Sequence, residues 1–468
     1  MAKTRKVKEV HGPVKPLLSP RVIAALSIVT AVIFYFSNPK PQSYYDYTFR
    51  VAGNLLHGTI GFVEKPPQWL NEFVPFDGLW YSVFPLGAVI TMVPFAALKN
   101  TGIISDMPGP FIAALCAGAA CLFLLAIANR YDLREDRRVL LTIAILFGTF
   151  TWTNLTFDGA WQLALGFAMV GELGAIYFTV YDRRPFIAGL FFALAFGNRT
   201  ENLLTAPVFL FLLNRGDAET PTKQGIIERP ADSGSKIQGQ GPTVELGNGE
   251  SKVKDQRSKF PSKIKDQDSK IALSRRFHVS AVQIHRVVWF CFVPILLGAA
   301  TLCYNYIRFH SITDFGYARI PGVLQEPWYN HGIFSMYYIP RQAWEMLIKP
   351  WEWKSKIPYL VPDGFSSSIL WSSPFLLFVL RFGFRDRVLK YAAWAAIAIL
   401  TFLLWIHGNS GGWQFGYRYA MILMPWMFVI LLESAPKRTT PLEWTVYGFS
   451  FVANAYATWL FSWTEYMK

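Results

Sequence analysis

Charged residues are scarce in this chain of 468 residues: Asp, Glu, Lys and Arg make up 16% of it, whereas 52% is hydrophobic. An average soluble domain carries about 25% charged residues. The shortage excludes an ordinary soluble domain, and several apolar runs approach or exceed the roughly 18–20 residues that cross the hydrocarbon core of a bilayer. The composition therefore predicts an integral membrane protein with many helices.

Cysteine and histidine are also rare. The four cysteines all lie in apolar runs, so no disulfide framework is expected. The seven histidines are scattered, and the sequence has no metal-spaced His/Cys cluster, no Walker-type Gly-Lys-Ser/Thr loop and no nucleotide-binding glycine fingerprint. These absences argue against phosphate-loop and dinucleotide enzymes. No cofactor is certain from the sequence, and a divalent metal ion is possible but not favoured.

Basic residues outnumber acidic ones and give the chain a net charge of +14. In a soluble protein this excess suggests nucleic acid, but in a membrane protein it marks cytoplasmic loops. We therefore expect no nucleic-acid partner. The basic start, MAKTRKVKEV, precedes an apolar run without a small-residue cleavage site. We expect an uncleaved first helix, a cytoplasmic N-terminus and, as the favoured location, a bacterial inner membrane.

The apolar runs predict an all-α polytopic membrane protein with about eleven transmembrane helices and with juxtamembrane helices at the outer face. The predicted crossings are 21–37, 109–129, 139–156, 159–180, 186–198, 202–214, 287–307, 366–382, 390–407, 416–433 and 443–463. The polar cluster GNRTEN (197–202) separates two short helices that we expect to meet at the outer face; a single bent helix is the alternative.

The apolar segment 84–98 decides the topology. If it does not cross the membrane, the basic loops 131–138, 181–185, 381–390 and 436–440 all fall on the cytoplasmic side with the N-terminus. The segment is short and contains Pro85 and Pro94, which disrupt helical hydrogen bonding. We expect it to lie on the outer face, with a short crossing as the alternative.

The polar segment 215–286 divides the chain into two membrane modules, 1–214 and 287–468. It is poor in aromatic residues and contains an eleven-residue duplication, SKVKDQ followed by SKIKDQ. Such a composition does not bury enough apolar surface to offset ordering entropy, so we predict a disordered cytoplasmic loop. The outer segments 38–98 and 308–365 are rich in Trp, Tyr and Pro, and we expect both to pack on the membrane surface.

Two aspartates are the candidate catalytic residues. Asp46 lies among aromatic residues shortly after the first crossing, where a partly desolvated carboxylate can act as a general base; a helix-capping Asp is the alternative. Asp158 lies between two crossings and shares the outer face with Asp46 in the favoured topology. The sequence therefore places two acids on one side of the membrane.

Arginines recur at the predicted outer ends of helices. Their guanidinium groups suit bidentate phosphate binding, although each alone is commonly an interfacial anchor. The candidate donor-phosphate residues are Arg199, Arg308 and Arg418, with Lys65 as a weaker fourth.

Three further residues are weak substrate-binding candidates. Asp77 has the Asp-Gly form of a turn, and His57 lies in the first outer segment. Glu172 lies deep in an apolar helix, where an acid is costly and is by default a functional candidate. A hydrogen-bonded packing role is the alternative for Glu172.

The chain resembles the GT-C superfamily of polytopic membrane glycosyltransferases, especially its protein O-mannosyltransferase and aminoarabinose transferase branch. The resemblance covers most of the chain except 215–286. It rests on the order of six stretches: YYDYTFRVAGNLLHG, FDGLWYSVFPLG, LFGTFTWTNLTFDG, LAFGNRTENLL, NYIRFHSITDFGY and GGWQFGYRYAMILMP.

The resemblance implies an acid in the first outer loop that activates the acceptor, which maps to Asp46, and an outer-face carboxylate in the second loop, which maps to Asp158. It also implies a juxtamembrane helix at 84–98 and a polyprenyl- or dolichyl-phosphate sugar as donor. The chain departs from the family in lacking a paired acidic motif at Asp46 and a Lys at the position of Arg199.

The leading hypothesis is an inverting glycosyltransferase that moves a sugar from a polyprenyl-phosphate donor to a lipid, glycan or protein acceptor at the outer membrane face. Its partners would be the lipid-linked donor, the acceptor and membrane lipids. The main alternative is a transporter or flippase of an amphiphilic anionic lipid or glycan, which would use the same arginines and Glu172. A non-catalytic membrane assembly factor is a third class.

Overall fold

The computed structural model describes residues 17–215 and 263–467, and this part of the chain is mostly helical. The basic N-terminal stretch and most of the predicted disordered loop, 216–262, lie outside the described residues. The helix predicted at 287–307 begins already at Lys263. Its N-terminal part is polar, and Lys and Gln are good helix formers, so hydropathy alone does not detect it.

The first part of the described chain contains one apolar helix of 17 residues followed by short elements. In order they are α1 (Pro20–Phe36), α2 (Tyr47–Leu56), β1 (Phe73–Phe76), β2 (Leu79–Ser82), α3 (Leu86–Ile90) and α4 (Val93–Asn100). The strands pair antiparallel across Asp77 and Gly78, which both adopt left-handed φ angles of 50° and 77°. Asp-Gly suits such a two-residue hairpin turn because both residues tolerate positive φ.

The second group of elements forms the centre of the molecule. It comprises α5 (Gly109–Ala128), α6 (Glu135–Phe147), α7 (Thr151–Thr156), α8 (Ala160–Ile176), α9 (Pro185–Asn198) and α10 (Ala206–Asn214). A π-helical turn, Tyr177–Tyr181, extends α8, and a 3-10 segment, Thr200–Thr205, joins α9 to α10. The predicted pair of short helices at 186–214 is therefore present, with Arg199 at their junction.

The C-terminal group begins with the long α11 (Lys263–Phe309). It continues with α12 (Ile339–Leu347), the short strand pair β3 (Glu352–Trp353) and β4 (Leu360–Val361), α13 (Ile369–Ser372), α14 (Arg387–Ile406), α15 (Met424–Ser434) and α16 (Pro441–Trp463). The segment between α11 and α12 is built from 3-10 turns: Tyr317–Arg319, Val323–Gln325, Pro327–Tyr329 and Met336–Tyr338. Two further 3-10 segments, Pro374–Leu380 and Arg418–Leu423, precede α14 and α15.

Four described helices are long and apolar enough to span a membrane: Gly109–Ala128, Ala160–Tyr181, Gln283–Phe309 and Arg387–Ile406. The predicted count of eleven crossings is not confirmed. Several predicted crossings are interrupted: 139–156 is divided into α6 and α7 at Gly148, and 366–382 is divided at Ser373. A hydropathy average depends only on the apolar content of a segment, so it does not predict where a helix is interrupted.

The exposed surface of the long helices is apolar. In an apolar 18-residue window of Gln283–Phe309 only 11% of the residues are buried, whereas 78% are buried in the corresponding window of Ala160–Tyr181. The outward side chains of the first segment include Ile284, Val288, Phe292, Ile295, Leu296 and Leu302. Large contiguous apolar surfaces are rare on soluble monomers. The pattern indicates membrane association, with α8 at the centre of the bundle and α11 at its periphery.

The basic loops meet at one end of the molecule. Arg137 Nη1 donates to Thr439 Oγ1 at 2.8 Å. Arg137 and Arg381 both form ion pairs with Glu443. On the same end Arg183 Nη1 donates to the Arg215 carbonyl at 3.0 Å. Arg215 in turn pairs with Asp386. The four basic loops, 131–138, 181–185, 381–390 and 436–440, therefore lie together at one end, as predicted. We call this the basic end.

The segment 84–98 does not form one helix. It is divided between α3 and α4 at Thr91 and Met92, and the pair packs against α2 and α9. Each of the two helices is far shorter than the roughly 20 residues that a crossing needs. The structure thus shows two short helices here, and the location of the segment at the outer face stays a prediction.

Glycine permits a close approach of α9 and α11. A Cβ atom at Gly189 would lie 2.1 Å from the Phe290 carbonyl oxygen, a backbone atom that has no rotamer with which to move away. Small residues at such positions let transmembrane helices pack backbone to backbone. The contact seats the peripheral α11 on the bundle.

Gly189→Ala is expected to destabilise the protein by about 1–3 kcal/mol, the usual cost of overpacking. Thermal unfolding of the detergent-purified protein measures it. Gly298→Ala on α11 is the matched control, because a Cβ there meets nothing within 4 Å and alanine favours the helix. Equal unfolding temperatures for the two variants would contradict this packing.

Candidate functional site

Three helices connect the basic end to the opposite end of the bundle. The α8 segment Ala160–Tyr181 has 22 residues, which at 1.5 Å per residue extends about 33 Å, close to the thickness of a bilayer core. Trp161 lies at its far end, Arg199 follows α9 and His407 follows α14. We call the group of side chains that meet there, Glu72, Trp161, Arg199, Arg418 and Tyr419, the arginine cleft.

Two of the predicted phosphate-binding residues come together in this cleft. The guanidinium carbon of Arg199 lies 4.7 Å from the centre of the Tyr419 ring, and that of Arg418 lies 5.3 Å from the same ring. Arg418 also lies 5.8 Å from the Trp161 ring. Cations are stabilised over aromatic faces, so these rings hold two like charges side by side.

Both arginines keep unused hydrogen-bonding capacity. Arg199 pairs with Glu201, and Arg418 Nη1 donates to the Trp413 carbonyl at 3.4 Å. The buried Nε atom of each has no partner among the residues that the structure describes. A guanidinium group has five donors and no acceptor, so an anionic ligand would satisfy the donors that remain.

Besides Glu201, the carboxylate of Glu72 also lies close enough to feel the charges of this arginine pair. It precedes β1, and both of its oxygens accept from Trp161 Nε1 at 2.9 Å. The residue is deep in the protein, yet part of its surface remains accessible. Burial raises the pKa of Glu72 to about 7, although the Trp161 hydrogen bond and the charges of Arg418 and Arg199 oppose the shift.

Glu72 does not pair with either arginine. The charges of Arg418 and Arg199 favour the ionised form of its carboxyl group, but neither arginine forms an ion pair with Glu72 within the 17–215 and 263–467 ranges. The cleft thus holds an acid close to two guanidinium groups that it does not neutralise.

The second outer segment, 308–365, forms another wall of the cleft. The hydroxyl groups of Tyr317 and Tyr329 form a hydrogen bond of 2.7 Å, and burial raises the pKa of both side chains. Glu326 accepts from Trp328 Nε1 at 2.8 Å and opposes ionisation of Glu72. Burial lowers the pKa of His407, so its imidazole is neutral at neutral pH.

Asp46 lies beside the cleft but not in it. Its neighbours Tyr45 and Tyr47 place their rings 5.0 and 5.1 Å from that of Trp161. The Asp46 carboxylate instead accepts from Arg50 Nε at 2.7 Å. Burial raises the pKa of Asp46, and the Arg50 hydrogen bond opposes the shift. Asp46 begins α2 but makes no side-chain capping bond.

Asp158 is fully buried at the same end of the bundle. Its Oδ1 accepts from Ser43 Oγ at 3.3 Å, while its Oδ2 has no partner in the described ranges. Burial raises the pKa of Asp158 to about 8. Backbone hydrogen bonds from Gln42 to Phe157 and from Ala160 to Tyr45, both 2.9 Å, join the outer segment 38–98 to the turn that carries Asp158. Among the described residues, no side chain bonds to both aspartates.

Arg308 and Lys65 lie away from the arginine cleft. Arg308 is buried, and its Nη atoms donate to the Ser82 and Phe84 carbonyls and to Asn305 Oδ1. It fastens the β1–β2 hairpin to α11. Lys65 lies 5.8 Å from the Trp80 ring. The predicted set of four phosphate-binding residues therefore divides into a pair in the cleft and two residues elsewhere.

The three weak candidates are also dispersed. His57 is exposed and lies 3.4 Å from Asn100 Nδ2. Asp77 is 73% exposed at the hairpin turn. Glu172 is fully buried between α8 and α15, where its Oε1 accepts from the Trp426 indole. None of the three shares a contact with Arg199 or Arg418 in the part of the chain described.

Glu72 is the site residue that sequence reasoning undervalued. The stretch QWLNEFVP offers an acid flanked by large apolar residues in an outer segment, which is the signal that could have found it. Within the described ranges, no group of three or more His, Cys, Asp or Glu is placed to hold a metal ion. Comparison of the chain with protein-family models, curated proteins and solved structures finds no match to any of them.

Proposed function

We propose that this protein is a membrane glycosyltransferase that moves a sugar from a polyprenyl-phosphate donor to an acceptor, with inversion, in the arginine cleft. The observation that supports it is the cluster in which Glu72, Arg199 and Arg418 lie around Trp161 and Tyr419 without Glu72 pairing with either arginine. A donor placed there has its phosphate against the arginines and its anomeric carbon toward the carboxylate.

The arginines would bind the phosphate in the ground state and stabilise the charge that develops on it. Guanidinium groups match phosphate geometry with paired N–H donors. Their charge is held in place by aromatic rings before the substrate arrives, so little reorganisation is needed as the phosphate leaves. Trp161 and Tyr419 give the sugar ring an apolar surface between the two charged sides.

Glu72 is the general base that the geometry favours. It would take the proton of the acceptor O–H or N–H as that atom bonds to the anomeric carbon. The bond from this carbon to the phosphate oxygen breaks, and its electron pair leaves with the lipid phosphate. A pKa of about 7 is near the optimum for a general base at neutral pH. Attack from the side opposite the phosphate accounts for inversion.

The resemblance implies Asp46 as the base and Asp158 as its companion, whereas in the present proposal Glu72 has the role of base. Their positions suggest supporting tasks in the proposal. Asp158 lies under the segment 42–45, and Asp46 lies at the start of α2, one residue from the rings that pack on Trp161. In the proposal both aspartates would hold the segments around Trp161 in place, and neither would contact the acceptor.

Arg418→Ala is expected to lower kcat/KM for the lipid-phosphate sugar by about 10²–10³, the usual cost of losing one preorganised charge-stabilising group. The assay is transfer of labelled sugar by purified protein. Arg184→Ala is the control, because Arg184 pairs with Asp182 at 3.1 Å in the loop 181–185 at the basic end. Equal activity of Arg418→Ala and wild type would refute the phosphate site.

A further inference from the structure

A groove runs along the bundle surface between α1, α5, α6 and α16. It has a volume of about 320 Å³, and its walls are almost wholly apolar. They include Leu26, Ile33, Leu125, Val139, Phe147 and Phe451. Val139 and Phe147 are eight positions apart on α6, so the groove is about 12 Å long. An apolar slot of this length fits an acyl chain.

A second cavity, of about 220 Å³, lies at the basic end, and its lining is mainly polar. Its lining residues include Arg134, Asp136, Arg137, Lys437, Arg438 and Trp444. Four of these six carry a positive charge at neutral pH. The cavity therefore favours an anion.

The groove and the cavity belong to one seam. Trp444 of the cavity and Phe451 of the groove are two turns apart on the same face of α16. Asp136 of the cavity and Val139 of the groove are one turn apart on α6. The cavity thus lies just beyond the end of the groove, toward the basic end. Trp444 is 53% exposed, as is typical of tryptophans at a membrane interface.

The positive charge of the cavity is only partly neutralised by the protein. Arg134 pairs with Asp136, and Arg137 pairs with Glu443. Lys437 and Arg438 are exposed, and neither has an acidic partner among the residues described. Two cations thus remain for a ligand at the end of an apolar groove.

We propose that this seam binds an anionic phospholipid. Its headgroup phosphate would lie against Lys437 and Arg438, and one acyl chain would fill the groove along α6. Charge complementarity at one end and apolar lining at the other select this occupant over a zwitterionic lipid or a soluble phosphate. The site lies at the end of the bundle opposite the arginine cleft, so it does not depend on the proposed glycosyl transfer.

The test measures binding of phosphatidylglycerol and phosphatidylcholine to the full-length protein in nanodiscs or detergent, by native mass spectrometry. The wild type is expected to prefer phosphatidylglycerol. Each basic residue near an anionic lipid is worth about fivefold in affinity, so Lys437→Gln with Arg438→Gln should reduce the preference by about 30-fold. Ile143 also lines the groove, so Ile143→Trp should fill it and weaken the binding of both lipids.

Arg387→Gln is the matched control for charge. Arg387 lies at the same end but outside the cavity, stacked near Phe384 and Tyr391, and its loss should leave most of the preference intact. The proposal is overturned if the two lipids bind equally, if the double variant keeps the preference, or if glycerol phosphate without acyl chains competes as well as the lipid.

Discussion

Glu72→Gln is expected to lower the rate of sugar transfer by about 10²–10⁴, the range lost when a general base is removed. The amide keeps the shape of the carboxylate, and its oxygen can still accept from Trp161, so the fold should persist. It has no basic site for the acceptor proton. Steady-state kinetics with a labelled lipid-phosphate sugar measure the loss, and thermal unfolding checks that the fold is kept.

The pH dependence separates a base from a residue that only shapes the cleft. The base must be deprotonated, and the pKa of Glu72 is raised to about 7. For the wild type, kcat/KM should therefore rise about tenfold per pH unit below pH 7 and level off above it. Glu72→Gln should lose this limb. A Glu72→Gln profile that still rises through pH 7 would assign the titration to another group.

Asp46→Asn is the comparison that decides between the two carboxylates. If Glu72 is the base, Asp46→Asn should reduce transfer less than Glu72→Gln and should leave the acidic limb of the profile in place. If Asp46 is the base, as the resemblance implies, its variant should lose both the activity and the limb. The proposal fails if only Asp46→Asn abolishes transfer.

Glu443→Gln is expected to destabilise the protein by about 3–5 kcal/mol, the usual cost of breaking a buried ion pair by removing one partner. Glu443 is fully buried and accepts from Arg137 and Arg381, and its Oε2 also accepts from the Thr440 backbone N–H at 2.8 Å. The neutral amide would leave two guanidinium groups without a counter-charge. Arg137 is only 1% exposed, so hydration would compensate little for the lost carboxylate.

Thermal or denaturant unfolding of the purified protein measures this loss. Glu352→Gln is the matched control, because Glu352 pairs with Lys354 where both side chains are 52% exposed, and exposed pairs contribute about 0–1 kcal/mol. A Glu443→Gln variant as stable as Glu352→Gln would mean that Glu443 does not hold the basic end together.

The positions of the basic loops predicted the arrangement of the chain better than hydropathy predicted the number of helices that cross the membrane. The positions of Arg137, Arg183 and Arg385 predict that their loops share one end, and from this follows the non-crossing segment 84–98, which the structure divides into two short helices. Hydropathy predicted eleven crossings, but breaks at residues such as Gly148 and Ser373 depend on local backbone geometry that a sliding sum of apolar residues does not register.

The candidate site was only partly predictable. Arg199 and Arg418 were identified because both follow or begin helices at the same end, and they meet at Tyr419. Arg308 also lies at the end of a helix, yet its guanidinium group donates to backbone carbonyls within the protein. Glu72 was undervalued because its link to Trp161 spans 89 positions in the sequence, and no local pattern reports such a contact.

The most direct measurement uses purified protein reconstituted in liposomes with synthetic polyprenyl-phosphate sugars, and with a membrane extract as source of acceptor. The proposal predicts labelled sugar on an acceptor and release of the lipid phosphate, both lost in Glu72→Gln and in Arg418→Ala. Movement of the intact labelled lipid between leaflets, with no sugar transferred to any acceptor, would contradict it and would identify a transporter.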